Sequence, residues 1–196
     1  MISLSEDCEL VILSEDDKIC DFDCDHVDLN DFFCNDALNY QNQLLGQTSF
    51  FRHKGSNKIL CAYTLSNDSI KVDTLPGSRR RTVKKQIPHA KSQKSYPATL
   101  IGRLGVSKDF AGNGIGTQLM DFIKSICITQ DANKCRFLLV DAYNTEKALG
   151  YYTKNEFIFL FPTEEQEKQY YGQEADCSLK TRFMYFDLMN WIKEVL

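Results

Sequence analysis

The segment with the plainest chemical potential is Gly112-Asn-Gly-Ile-Gly116. Three glycines in five residues let a backbone come close to a ligand. An amphipathic stretch follows at once, with Ile115, Leu119, Phe122, Ile123 and Ile126 on one helical face. A helix starting there turns free N–H groups and its positive end toward whatever lies over the glycines, which makes an anion site suited to a pyrophosphate. A second candidate is Tyr152. A phenol with the ordinary pKa of ~10 stays protonated at neutral pH and can act as a proton donor. Packing on an amphipathic helix is the plainer use of an aromatic, and the neighbouring Tyr151 fits that use better. The third candidate is a basic run: between Pro76 and Pro97 lie Arg79, Arg80, Arg81, Lys84, Lys85, Lys91 and Lys94, and no acid.

Several ligand classes compete for the glycine cluster. A P-loop places Gly-Lys-Ser/Thr at the helix start, whereas here Gly116 is followed by Thr117 with no lysine. A Rossmann turn wants a third glycine at position 117 and a strand that runs straight into it; here residues 107–111 separate Val106 from Gly112. The pyrophosphate loop of acetyl-CoA-dependent acyltransferases and a plain flexible turn remain. With its flanks, Leu100-Ile-Gly-Arg-Leu-Gly-Val106 and Phe110-Ala-Gly-Asn-Gly-Ile-Gly-Thr-Gln-Leu119, the cluster resembles the cofactor motif of the GNAT N-acetyltransferases. Ala148-Leu-Gly-Tyr-Tyr-Thr-Lys-Asn-Glu-Phe157 resembles the late helix of the same superfamily, and the two motifs stand in the right order.

Within that superfamily the chain resembles the bacterial toxins that acetylate the amino group of aminoacyl-tRNA. Four features carry this likeness: Phe22-x-Cys24 with the Asp28-Leu29-x-x-Phe32 helix start, Ala62-Tyr63-x-Leu65, Pro76-Gly-Ser-Arg-Arg-Arg81, and Gly102-Arg-Leu-Gly-Val106.

The resemblance implies a GNAT acyl-CoA N-acyltransferase fold, an α/β domain over residues 1–196 with a mixed central β-sheet flanked by helices. It implies acetyl-CoA as co-substrate and direct transfer to a primary amine. Leu104, Gly105 and Val106 would meet the pantetheine and the carbonyl through backbone N–H groups. Ala111, Gly112, Asn113, Gly114, Ile115, Gly116 and Thr117 would face the pyrophosphate, and Asn144 the cofactor arm. Tyr152, five residues before Phe157, would be the general acid. Arg79, Arg80, Arg81, Lys84 and Lys85 would hold substrate phosphates. A cognate antitoxin and a homodimer are the partners implied. Two positions depart from the family: Ala111 stands where Gln or Arg is usual, and Glu156 where glycine is usual.

No dedicated base is evident, which bears on the acceptor. An α-amine with a pKa of roughly 7.7–8.0 is partly neutral already, whereas a lysine near ~10.4 needs much more help. An aminoacyl ester on tRNA therefore suits the site. Acetylation of a small amine, a peptide or a protein N-terminus is the rival within the enzyme class. A non-catalytic acyl-CoA sensor is the rival outside it, with Ala111 and Glu156 as its support.

The elements that must position these groups follow from periodicity. Strands are expected at residues 9–13, 48–53, 58–65, 99–106, 136–141, 157–161 and 182–187, with short pieces at 19–24 and 69–72. Helices are expected after Asp28 as N-cap, from Ile115, over 145–154 and near 190–195. Residues 76–97, with no apolar period, read as a long basic loop.

The net charge of −4 conceals a polarity. Residues 1–36 hold twelve acids and one lysine, so the rest of the chain is positive. Global acidity excludes a uniformly basic nucleic-acid binder but not a local basic patch. The eight cysteines include no CxxC pair and are read as reduced thiols, and Cys20, Cys24 and His26 make a poor metal set. No run of 18 apolar residues is present, and the acidic start lacks a signal-peptide pattern, so a cytoplasmic protein with no membrane span is expected.

Overall fold

The computed structural model describes residues 2–85, 87–90, 93–129 and 134–195. In chain order the elements are α1 (Leu4–Asp7), β1 (Cys8–Ile12), α2 (Val27–Asp31), a π-helical turn (Phe32–Asp36), α3 (Ala37–Asn42), β2 (Gln47–His53), β3 (Ile59–Lys71), α4 (Gly77–Lys84), β4 (Ser95–Val106), a 3₁₀ turn (Lys108–Phe110), α5 (Ile115–Thr129), β5 (Phe137–Tyr143), α6 (Glu146–Lys154), β6 (Ile158–Phe159), α7 (Glu164–Tyr171), β7 (Thr181–Asp187) and α8 (Leu188–Val195). The strands form one mixed sheet in the order β1-β2-β3-β4-β5-β7-β6, flanked by helices. Two compact units divide the chain: Met1–Asn67 with Ile101–Ile126, and Asp68–Leu100 with Cys127–Leu196. Among the described residues no helix is long and apolar enough to cross a membrane.

In the first unit β1, β2 and β3 pair antiparallel. Thr48 and Thr64 lie opposite each other, and their buried hydroxyls share a 2.7 Å hydrogen bond. Leu13, Ile19, Phe22, Phe32, Phe33, Ala37, Phe50 and Ala62 form the core beneath α2 and α3. Phe22 meets Phe33 edge-on at 5.5 Å. α2 starts at Val27, so Asp28, expected as N-cap, sits in the first turn, where its charge suits the positive helix end. In the π turn the N–H of Ala37 donates to the carbonyl of Phe32, five residues back. Gln41 then ties α3 to the sheet, donating to the Leu13 carbonyl at 2.8 Å and accepting from the Thr48 N–H at 3.0 Å.

Three further expectations change. Residues 19–24 form no strand: Cys20 and Asp21 make a turn, and the side chains of Asn30 and Asp23 capture the backbone donors of Cys24 and Asp25. The piece at 69–72 is no separate strand, since β3 runs unbroken to Lys71. Cys20 and Cys34 are joined as a disulfide with Cα atoms 4.3 Å apart, which corrects the reading of all eight cysteines as reduced thiols.

The second unit is built on β5 and β7, paired antiparallel from Phe137↔Asp187 to Tyr143↔Thr181. Its core gathers Ile70, Val72, Leu75, Val83, Tyr96, Ala98, Phe137, Leu139, Leu160, Phe161 and Tyr185. Residues 76–97, expected as a loop, contain the helix α4. Val83 is its sole buried side chain, and one anchor in eight residues leaves no apolar period to read. Helix α7 was also not expected. Its Thr163 hydroxyl accepts from the Gln166 N–H at 3.4 Å, and left-handed Gly172 closes it at φ 66°. Its Glu167 is fully buried, accepting from Arg182 Nε at 2.7 Å and from the Phe183 N–H at 2.6 Å. Burial pushes this carboxyl upward, and the two donors oppose the shift.

Candidate active site

In the first unit the end of β4 carries Leu104, Gly105 and Val106. Gly105 is a point of close approach. A Cβ there would lie 3.0 Å from Cys24 Sγ, 3.1 Å from Cys24 Cβ and 3.2 Å from Phe22 Cε1. The Arg103 guanidinium stacks 4.7 Å from the Phe32 ring centre. After β4 the chain is tied down at once: the Ser107 N–H donates to the Leu60 carbonyl at 2.8 Å, and the Lys108 N–H to the Asp23 carbonyl at 2.8 Å. The Lys108 ammonium also reaches Asp23 Oδ2 at 2.6 Å. That bond, with donations from the Asp25 N–H and the Asn30 amide, holds the Asp23 carboxyl down to about 2.

The glycine turn follows. Gly112 has φ +78° and Gly114 φ +77°, left-handed values that disfavour any other residue. Nothing lies within 4 Å of where their Cβ atoms would project, so the turn opens outward. Asn113 Nδ2 folds back to the carbonyls of Phe110 (3.3 Å) and Ala111 (3.4 Å). Residues 111–114 are exposed, while Ile115 is buried and anchors the first turn of the fifteen-residue α5; Gly116 follows half-buried and Thr117 exposed. Open left-handed glycines at the head of a long helix fit a diphosphate. Ala111 takes only a side chain from that surface and leaves the backbone donors in place.

The second unit holds Tyr152 and Asn144. The Thr145 hydroxyl caps α6, accepting from the Ala148 N–H at 3.3 Å. Tyr152 sits in the last turn, buried, with ring contacts to Tyr151 (5.1 Å) and Phe157 (5.5 Å). Burial pushes its phenol pKa well above the ordinary value, so the group keeps its proton. Glu156 adopts φ 67°, the left-handed conformation a glycine takes at a helix end. Glu156 thus holds the conformation that the resemblance assigns to a glycine here. Asn144 is engaged within the fold: its Nδ2 donates to the Leu179 carbonyl (3.1 Å) and to Glu164 Oε1 (3.2 Å), and its N–H to the Lys180 carbonyl (2.9 Å).

The basic residues separate on α4. Arg80, Arg81, Lys84 and Lys85 line a groove of about 910 Å³ together with Gly77, Ile87, His89 and Ala90. Arg79 turns the other way, with its guanidinium 5.9 Å from the Tyr185 ring and its Nε buried. Arg80 Nη2 is partly committed, donating to the carbonyls of Asp73 (2.6 Å) and Leu75 (3.1 Å). Lys91 lies outside the described residues. Reading the run as an undivided patch missed this split, which the 100° step between helical neighbours could have revealed. The roles of Asp23 and Asn30 were missed too, although the Phe22-x-Cys24 motif flanking Asp23 stood out.

The architecture is that of the GNAT acyltransferases. Residues 84–158 match the family model of the acetyltransferase (GNAT) domain. No curated protein matches the sequence. Among solved structures, the chain is similar to AtaT complexed with acetyl-methionyl-tRNAfMet, at 20% identity and a TM-score of 0.68, covering 97% of this chain and 100% of that one. It is similar to a tyrosine-to-phenylalanine mutant of KacT at 17% identity, TM-score 0.71 and coverage of 97% and 100%. A tyrosine-to-phenylalanine mutant of the toxin AtaT, bound to the C-terminus of the antitoxin AtaR and acetyl-CoA, matches at 18% identity, TM-score 0.65 and coverage of 97% and 99%. At these identities the likeness speaks for the fold.

Proposed function

We propose that this chain transfers the acetyl group of acetyl-CoA to the α-amino group of an aminoacyl-tRNA in the cytoplasm, and that an antitoxin restrains it. The groove lined by Arg81, Lys84 and Lys85 carries the choice of acceptor, because it offers clustered cations to a polyphosphate in an otherwise acidic protein. The full-length likeness to AtaT, solved with an acetylated aminoacyl-tRNA and with its antitoxin, supports the same reading.

When bound, acetyl-CoA supplies an activated thioester. The N–H groups of residues 112–117 hold its diphosphate, and those of Leu104–Val106 orient its arm and carbonyl. Tyr152 holds a proton on its phenol oxygen throughout the working pH range and is the donor to the departing sulfur. The acceptor amine needs no strong base, since a sizeable fraction of an α-amine is neutral near pH 7. Ala111 and Glu156 lend the sensor alternative little, because both leave the backbone of the site intact.

The test is transfer of radiolabelled acetyl to charged total tRNA beside a panel of free amines and peptides. Label recovered as N-acetyl-aminoacyl ester on tRNA supports the proposal, and label confined to small amines or peptides overturns it. Tyr152→Phe is expected to lower turnover by roughly 10²–10⁴-fold while acetyl-CoA still binds. Full turnover in that variant removes Tyr152 from the role.

A further inference from the structure

The Phe22-x-Cys24 motif and the helix start after it have no part in the chemistry above, yet they lie under the strand expected to hold acetyl-CoA. Asn30, on α2, organises them through one amide. Its Oδ1 accepts from the Cys24 N–H at 2.9 Å and from the Cys24 thiol at 3.1 Å, and its Nδ2 donates to Asp23 Oδ1 at 2.8 Å. Cys24, held in this way, packs with Phe22 so close to Gly105 that a methyl group there would crowd both. Asp23, held by the same amide, takes the Lys108 ammonium on its other oxygen at 2.6 Å and the Lys108 N–H on its carbonyl at 2.8 Å.

We infer that Asn30 is a positioning residue for the acetyl-CoA site. Through Cys24 it sets the height of Gly105, and through Asp23 it anchors Lys108 in the short turn that leads to Gly112. Neither contact needs Asn30 to touch the ligand. The exposed Asp23–Lys108 pair would add little alone. The half-buried amide gives it a fixed geometry, because it offers both an acceptor to Cys24 and a donor to Asp23. The inference rests on the reading that Leu104–Val106 and residues 112–117 hold acetyl-CoA.

Calorimetric binding of CoA, amide hydrogen exchange at residues 104–108 without ligand, and steady-state kinetics test it together. Asn30→Ala is expected to weaken CoA binding on the order of tenfold, the equivalent of one or two net hydrogen bonds of lost order. It should raise KM for acetyl-CoA in proportion, leave kcat within about twofold by the same reasoning, and speed exchange at 104–108. Asn30→Asp keeps the acceptor but sets a carboxylate against Asp23, so it should bind CoA weakly. Asp23→Asn in the Asn30→Asp background restores a donor facing an acceptor while giving up the bond from the Asp25 N–H, and should recover part of the affinity.

If Asn30→Ala fails to fold, the Asn30→Asp variant and its rescue decide the matter. Unchanged CoA affinity and unchanged exchange in the single variants overturn the inference, as does a failure of the double variant to recover. A native protein that does not bind CoA overturns the reading of the acetyl-CoA site instead, and the exchange measurement then still reports on Asn30.

Discussion

Salt dependence gives the acceptor proposal its sharpest quantitative form. Of the five basic residues between Arg79 and Lys85, Arg79 is turned against Tyr185 and Arg80 is partly held by the carbonyls of Asp73 and Leu75. Arg81, Lys84 and Lys85 remain to neutralise phosphates from the groove. Three phosphates on duplex-like RNA give a slope of log K against log salt of about −2.7, so affinity for charged tRNA should fall roughly 40-fold between about 50 and 200 mM salt. Lys84→Gln with Lys85→Gln leaves one cation and a slope of about −0.9. Arg79→Ala should leave the slope alone and lower thermal stability, because it deletes a packed side chain. Fluorescence anisotropy of labelled, charged tRNA across that salt range measures all three proteins. A native slope near zero, or an equal slope in the double variant, refutes the assignment of the groove to the acceptor.

Glu167→Ala strips Arg182 of its buried partner and should cost about 3–5 kcal/mol, lowering the melting temperature by roughly 6–20 °C in a thermal scan; a loss of only a degree or two would show the pair to be dispensable. The raised phenol of Tyr152 makes a prediction at alkaline pH. Below pH ~10 the group is protonated in both folded and unfolded chains and gives no slope; above it only the unfolded chain releases the proton, so stability falls as pH rises further. Tyr152→Phe should remove that share of the alkaline loss, leaving the parts due to Tyr171, Tyr185 and the thiols of Cys8, Cys61 and Cys127, which burial also raises. Denaturant unfolding in steps above pH 9 reads this, and identical alkaline slopes in the two proteins would sink the claim.

How much of this was legible in the sequence depends on the range of the forces involved. The glycine turn, α5, β5 and α6 were readable because their signals are local: left-handed glycines, a helical apolar stripe and a capping threonine. Counting back from Phe157 reached a tyrosine that is in fact buried. Helix α4 was missed because only Val83 anchors it. Helix α7 had a readable start in Thr163-x-x-Gln166 and a readable stop in Gly172, so there the signal existed and went unused. The Cys20–Cys34 pair and the bonds of Asn30 join residues through a folded loop, and no spacing rule announces them. The inward turn of Arg79 needs knowledge of Tyr185, more than a hundred residues away.

The π turn at Phe32–Asp36 has a consequence for comparing this chain with its relatives. A turn closed five residues back holds one residue more than an α-turn, so it behaves as an insertion absorbed inside a helix. Deleting one residue there would restore regular winding with the flanks still in phase. Gln41 would stay on Leu13 and Thr48, and Ala37 would stay in the core. A relative with a regular helix here must therefore be one residue shorter between the counterparts of Phe32 and Gln41. Its sequence aligns correctly only with a gap inside the helix, where alignment penalties resist placing one.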